Sequence, residues 1–218
     1  DIMMQSNRAE AKKRTFTVSP KTIPCSSSYR QKPYYNKKTK QYYMINSYMR
    51  RLSTTGGTLK LKKGTYKIPG TIYVPSNVKI VCANGVKIKK TKATGTKKVK
   101  LTKFLFQMIS EEKVSGKQNT GKYAASKNAS IQGNGKVIFD MGNVNGATAV
   151  FVGHASGITV SGVRFRNKKG GSYIWIEGSK NISVRQCVFE RKKDVSGLKN
   201  RMAVRLETSN QTTSDFSG

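Results

Sequence analysis

Acid–base chemistry on this chain has few places to occur. Its 218 residues carry ten acids (Asp1, Glu10, Glu111, Glu112, Asp140, Glu177, Glu190, Asp194, Glu207 and Asp215) and one histidine, His154. Two of the glutamates fill equivalent places in similar segments, Ile174-Trp175-Ile176-Glu177 and Val204-Arg205-Leu206-Glu207. On neighbouring strands they stand one rung apart, about 5 Å. Two carboxyls at ~5–5.5 Å can divide the acid and nucleophile roles in retaining cleavage of a sugar linkage. The competing reading is a pair of surface acids balanced by Arg205 and nearby lysines.

Arg205 falls on the same face as Trp175. An arginine beside a uronate carboxylate neutralises it and acidifies the adjacent C–H, and a base then completes a β-elimination. A surface arginine stacked on tryptophan explains the same pair without chemistry. His154 sits at the end of an outward strand, in Gly153-His154-Ala155, where an imidazole can move protons near neutral pH or tie a turn to backbone groups. Tyr173 and Trp175 read as flat outward aromatics on which sugar rings stack, or as rings packed under a loop at 191–201.

The elements that must position these residues repeat. Val78-Lys79-Ile80 and Val86-Lys87-Ile88 are followed by Ala129-Ser130-Ile131 with Val137-Ile138-Phe139, Ile158-Thr159-Val160 with Val163-Arg164-Phe165, and Ile182-Ser183-Val184 with Val188-Phe189. Each pair of alternating runs flanks a turn: Asn84-Gly85, Gly133-Asn134-Gly135, Ser161-Gly162 or Arg185-Gln186. One coil cannot bury its own apolar side, so such units stack into a solenoid. A third strand per coil comes from aligning Phe104-Leu105-Phe106, Val150-Phe151-Val152, Ile174-Trp175-Ile176 and Val204-Arg205-Leu206, with an ambiguous face for 104–109. Inward aliphatics then leave Phe151, Tyr173, Trp175, Glu177, Arg205 and Glu207 outward on one face. Asn77, Asn128 and Asn181 at the turns are expected to be structural, laddering between coils.

Upstream, Ile45, Tyr48, Met49 and Leu52 keep helical spacing, which predicts a short amphipathic helix over about 40–53, stopped by Gly56-Gly57. It is expected to cap the open end of the solenoid. Residues 12–35, with Pro20, Pro24 and Pro33, read as an extended lead-in. Ala9-Glu10-Ala11 before Lys12-Lys13-Arg14 has the form of a signal-peptidase site, or is a chance match within a leader. The expected division is 1–35, signal remnant and leader, and 36–218, one solenoid domain continuing past Gly218.

Lys plus Arg number 42 against the ten acids, a net charge of +32. Such a surface attracts polyanions, or simply keeps the chain in solution. The lysines between 87 and 103, Lys97, Lys98 and Lys100 among them, sit in an insertion of the kind that lines a solenoid's binding flank. The run lacks the interleaved aromatics and arginines of a nucleic-acid signature. No stretch is apolar for long enough to span a bilayer. Cys25, Cys82 and Cys187 have no metal-like spacing; a Cys25–Cys82 bridge stays open, while Cys82 and Cys187 are about three coils apart, too far to pair.

Residues 41–90 run through Gly56-Gly57-Thr58-Leu59-Lys60-Leu61, Lys63-Gly64-Thr65-Tyr66 and Tyr73-Val74-Pro75-Ser76-Asn77-Val78. This resembles the opening of pectate-lyase-superfamily proteins after their cap helix. The second half is similar to the same superfamily in Gln132-Gly133-Asn134-Gly135, Phe151-Val152-Gly153-His154-Ala155-Ser156 and Ser179-Lys180-Asn181-Ile182. The resemblance covers about Gln41 to the end and implies an all-β fold, a right-handed parallel β-helix. It leaves the reaction open, because the superfamily holds lyases, hydrolases, epimerases and proteins without catalysis. The paired aspartates of polygalacturonase-like members and the carboxylate cluster of calcium-dependent lyases are missing here.

The expectation is therefore a secreted or cell-surface monomer that acts on an acidic polysaccharide or anionic wall polymer, by lyase or hydrolase chemistry. Its candidate catalytic residues are Glu177, Arg205, Glu207 and His154, and its candidate binding residues Tyr173, Trp175, Lys97, Lys98 and Lys100. No cofactor or metal is expected, and nucleic acid is the weaker partner class. The alternative is a non-catalytic, adhesin-like β-helix that holds acidic glycans.

Overall fold

The computed structural model describes residues 12–115, 122–191 and 203–208. The Ala9-Glu10-Ala11 motif, Asp194, Asp215 and most of the 191–201 loop lie outside them. The chain enters with β1 (Arg14–Val18) and α1 (Lys40–Thr55), then winds through five coils of three strands. The coils are β2 (Gly57–Leu61), β3 (Gly64–Ile68) and β4 (Ile72–Tyr73); β5 (Val78–Cys82), β6 (Val86–Lys90) and β7 (Phe104–Gln107); then, after the short α2 (Glu111–Ser115), β8 (Lys127–Gly133), β9 (Ile138–Asp140) and β10 (Thr148–Gly153). The last two are β11 (Ser156–Ser161), β12 (Arg164–Arg166) and β13 (Ile174–Glu177), and β14 (Lys180–Arg185), β15 (Val188–Phe189) and β16 (Val204–Glu207). Like strands of successive coils pair in parallel, giving sheet A (β1-β2-β5-β8-β11-β14), sheet B (β3-β6-β9-β12-β15) and sheet C (β4-β7-β10-β13-β16). The molecule is a right-handed parallel β-helix with an N-terminal cap helix.

Alternation with a period of two sends one residue in two to the interior. Leu59, Ile80, Ile131, Val160 and Val184 stack in register inside sheet A. Phe139, Phe165 and Phe189 do so inside sheet B, with ring centroids 5.2–5.5 Å apart. The corners demand left-handed backbone. Gly162 (φ 69°) lies so close to the coil below that an added Cβ would stand 2.2 Å from Gly133 O. At the corner entering sheet A, Asn77, Asn128 and Asn181 take φ 54–62°, and Asn128 Nδ2 donates to Asn77 Oδ1 at 3.2 Å. Asn77 and Asn128 thus ladder as expected, while the coil between Asn128 and Asn181 turns this corner with Gly157 (φ 65°).

The first coil would expose three unpaired strand edges, a template for aggregation. Each is covered differently. Sheet A is extended by β1, so the lead-in supplies a strand rather than only a tether. Gln41 of α1 pairs with the β3 edge, its Oε1 accepting from Lys67 N at 2.7 Å and its Nε2 donating to Thr65 O at 3.2 Å. Asn46 does the same for β4: Nδ2 donates to Thr71 O (2.9 Å) and Oδ1 accepts from Tyr73 N (3.1 Å). Gly56 ends the helix at φ 69°, its N–H donating to Leu52 O, and Met44, Ile45, Met49 and Leu52 press onto the core. No helix among the described residues is long and apolar enough to cross a membrane.

Lys90, which reads as one more surface lysine, is fully buried. Its Nζ donates to Gly70 O (2.6 Å), Thr102 Oγ1 (2.9 Å), Phe104 O (3.0 Å) and Pro69 O (3.2 Å), binding the β6–β7 insertion to the corner beneath it. Burial pushes its ammonium from the usual 10.5 down to about 7. In that window the unfolded chain binds more protons, so this group adds stability as pH rises from about 7 to ~10.4 and the gain is lost as pH falls back through 7. Urea denaturation of wild type and Lys90→Met should show wild type gaining on the variant between pH 7 and 9.5. A pH-independent gap would contradict this account.

All three cysteines are free, so no Cys25–Cys82 bridge forms. Burial pushes the Cys82 thiol up to about 12, which leaves it a small inert hydrophobe.

Candidate functional site

β13 and β16 lie in register, placing Trp175 beside Arg205 and Glu177 beside Glu207 on sheet C. The parallel ladder sets that spacing at about 4.8 Å between strands. The Arg205 guanidinium carbon sits 4.2 Å from the Trp175 ring centroid. Its Nε donates to Glu207 Oε1 at 2.7 Å, and Nη2 contacts the same oxygen. The Arg205 and Glu207 side chains are 39% and 31% exposed, while Glu177 is fully buried. So the two carboxyls share a register but not an environment: one is sealed in, and the other is open to solvent and ion-paired. A pair this exposed contributes at most about 1 kcal/mol to stability.

Trp175 ends an aromatic row separate from the core. Phe104 and Phe151 stack at 4.5 Å, and Trp175 meets Phe151 edge-on at 5.0 Å. Phe151 is buried, so the open part of the row is its Trp175 end. The indole N–H finds no acceptor among the described residues, and neither does Gln107 Oε1 find a donor. Gln107 aligns with Phe151 and hence with Trp175. Sequence reasoning missed it because the face of β7 could not be chosen. The expected alignment was two residues off: Phe106, not Phe104, pairs with Val150. A slip of two keeps the alternation and so leaves no trace in the pattern.

Tyr173 is a correction. It was expected outward as a sugar platform, but it lies in the core, 2% exposed. Its ring centroid is 5.6 Å from that of Phe165, and its hydroxyl donates to Glu190 O at 3.0 Å while accepting from Lys168 N. The cause is local. Tyr173 O accepts from both Ala149 N and Val150 N, and Ala203 O from both Tyr173 N and Ile174 N. These bulge-like contacts break the alternation at the mouth of each strand, so two consecutive residues face inward. Leu206 departs in the other sense: it aligns with Ile176 as expected but is 73% exposed.

His154 is buried at the corner between sheets C and A, with φ 55°. Its Nδ1 lies 3.1 Å from Lys122 O, its N–H donates to Glu177 O, and its carbonyl accepts from Ala125 N. These bonds fasten the segment after α2 to the coil that carries Glu177. Lys97, Lys98 and Lys100 are exposed in the β6–β7 insertion of the second coil, whereas Arg205 is in the fifth, so the structure does not bring them to one site. Among the described residues no three of His, Cys, Asp and Glu gather as metal ligands would.

No family model matches this chain, and no curated protein sequence does. Solved structures do. PfbA, a surface adhesin of Streptococcus pneumoniae, superposes with a TM-score of 0.54 at 14% identity, over 79% of this chain and 40% of its own. An iota-carrageenase of family GH82 from A. fortis gives 0.51 at 20% identity, over 78% of this chain and 41% of its own. The chain thus spans about two fifths of the length of each. At these identities the likeness establishes the fold that all three share, the right-handed parallel β-helix.

Proposed function

We propose that this is a secreted or cell-surface protein that acts on an anionic polysaccharide at the outer face of sheet C. The observation that supports the reading best is the in-register constellation of Trp175, Glu177, Arg205 and Glu207. Trp175 offers the exposed part of its ring to a sugar. Arg205 faces the substrate's anionic group, which competes with Glu207 for the guanidinium. Glu207, the carboxylate reachable from solvent, takes the part of nucleophile or base, while the sealed Glu177 backs the face from beneath without touching the substrate. Lys97, Lys98 and Lys100 extend the attraction for a polyanion along the solenoid without entering the reaction.

The second reading is a non-catalytic, adhesin-like β-helix. It is favoured by a specific observation: Arg205 is already engaged by Glu207 and Trp175, an arrangement that is stable without a ligand. Both readings have a counterpart among the structures similar to this chain, a carrageenase and an adhesin, and both place an acidic glycan on this face.

The test uses ι-carrageenan, polygalacturonate and neutral dextran as probes. Turnover is read as new reducing ends and as absorbance of unsaturated products. Cleavage of an acidic glycan, with Trp175→Ala raising KM about tenfold through lost stacking, supports the enzyme. Binding without cleavage supports the adhesin. No retention of any acidic glycan at low salt ends both readings.

A further inference from the structure

We propose that the outer face of sheet A is a second binding track for acidic polysaccharide, running along the solenoid axis and independent of sheet C. Its outward residues form two rows in continuous register. One reads Thr15, Thr58, Lys79, Ser130, Thr159, Ser183; the other Thr17, Lys60, Val81, Gln132, Ser161, Arg185. A shallow groove of about 430 Å³ crosses the coils along these rows.

Three features select the occupant. The first is charge. No strand of sheet A contains an acid, while the acids of the described residues belong to α2 (Glu111, Glu112), to sheet B and its margin (Asp140, Glu190) and to sheet C (Glu177, Glu207). Among the described residues this segregation leaves Lys60, Lys79 and Arg185, all exposed, without a carboxylate on their own face. On sheet B, by contrast, Arg164 and Arg166 are both tied to Glu190. The second feature is period. Rungs recur at about 4.8 Å, close to the length of one pyranose unit, so an extended glycan laid across the strands meets equivalent side chains at successive sugars. The third is side-chain chemistry. Hydroxyls and the Gln132 amide fill the coils between the cations and suit sugar hydroxyls. Neither row holds an aromatic ring, so the stacking that single-stranded nucleic acids use is missing. Lys60 and Lys79 on the first two coils and Arg185 on the fifth would hold the polymer's sulfates or carboxylates, and the hydroxyls would read its neutral parts.

Retention on immobilised ι-carrageenan across a salt gradient tests this with three variants of the whole protein. They are Lys60→Gln/Lys79→Gln/Arg185→Gln on sheet A, Lys97→Gln/Lys98→Gln/Lys100→Gln in the insertion, and Trp175→Ala on sheet C. All seven positions are surface or half-buried, and circular dichroism verifies the fold. The expected result is that the sheet A variant loses about tenfold in affinity at low salt and that its affinity varies less with salt, while the sheet A residues remain competent in Trp175→Ala. A sheet A variant that binds as wild type overturns the track, whatever happens at sheet C. So does a wild-type preference for duplex DNA over ι-carrageenan that the sheet A variant abolishes.

Discussion

Glu207→Gln is expected to reduce cleavage of acidic polysaccharide by about 10³-fold, within the 10²–10⁴ that a positioned acid or base contributes, and to leave glycan retention within a few-fold of wild type. The substitution keeps shape and size while removing the charge that Arg205 holds at 2.7 Å. It also frees the guanidinium for the substrate's anionic group, so KM should stay level or fall while kcat drops. That split separates a catalytic carboxylate from a structural one, which would change stability and leave kcat untouched. Full turnover in Glu207→Gln would remove this residue from the mechanism. Glu177→Gln is the companion measurement, and needs a melting curve beside it because Glu177 is fully buried.

Ile174→Asp is expected to cost at least about 4 kcal/mol, enough to unfold a domain of ordinary stability at moderate temperature. Ile174 is fully buried, with Val150 below it and Val204 above in the ladder. The change removes an aliphatic side chain worth about 2–5 kcal/mol and puts a carboxylate into the apolar core. Ile174→Val should cost only about 0.5–1.5 kcal/mol. Urea denaturation followed by far-ultraviolet circular dichroism measures both. An aspartate variant as stable as wild type would be falsifying for the register of sheet C.

Much of the architecture is legible in the chain because stacking coils repeat their instructions. Alternation marks strands, and asparagine or glycine marks corners where the backbone must turn left-handed, as at Asn77, Asn128 and Gly162. The helix over Lys40–Thr55 announces itself by apolar spacing and by Gly56. The polar residues that complete the cap do not. Gln41 and Asn46 look like ordinary helix-surface amides, and only the tertiary fold sets them against edge strands one helix face away. Lys90 looks like its neighbours Lys87 and Lys89, yet it is the one turned into a cage of carbonyls.

The candidate site divides along the same line. That Glu177 and Glu207, and Trp175 and Arg205, share positions on successive strands follows from the repeat, since a ladder pairs like with like. Which candidates face outward was decided by the coil as a whole. A period of two assigns Tyr173 to the same face as Trp175, but the doubled acceptance at Tyr173 O and Ala203 O shifts the parity at the strand's mouth and carries the ring into the core. The sequence by itself determined which strands stack and which residues alternate, because that period is displayed by any short segment, but not the register of β7, where a slip of two keeps the same period. The tertiary structure alone decided burial at Tyr173, Lys90 and Glu177, because burial depends on what the next coil and the intervening loops lay over a side chain, and no local pattern encodes that.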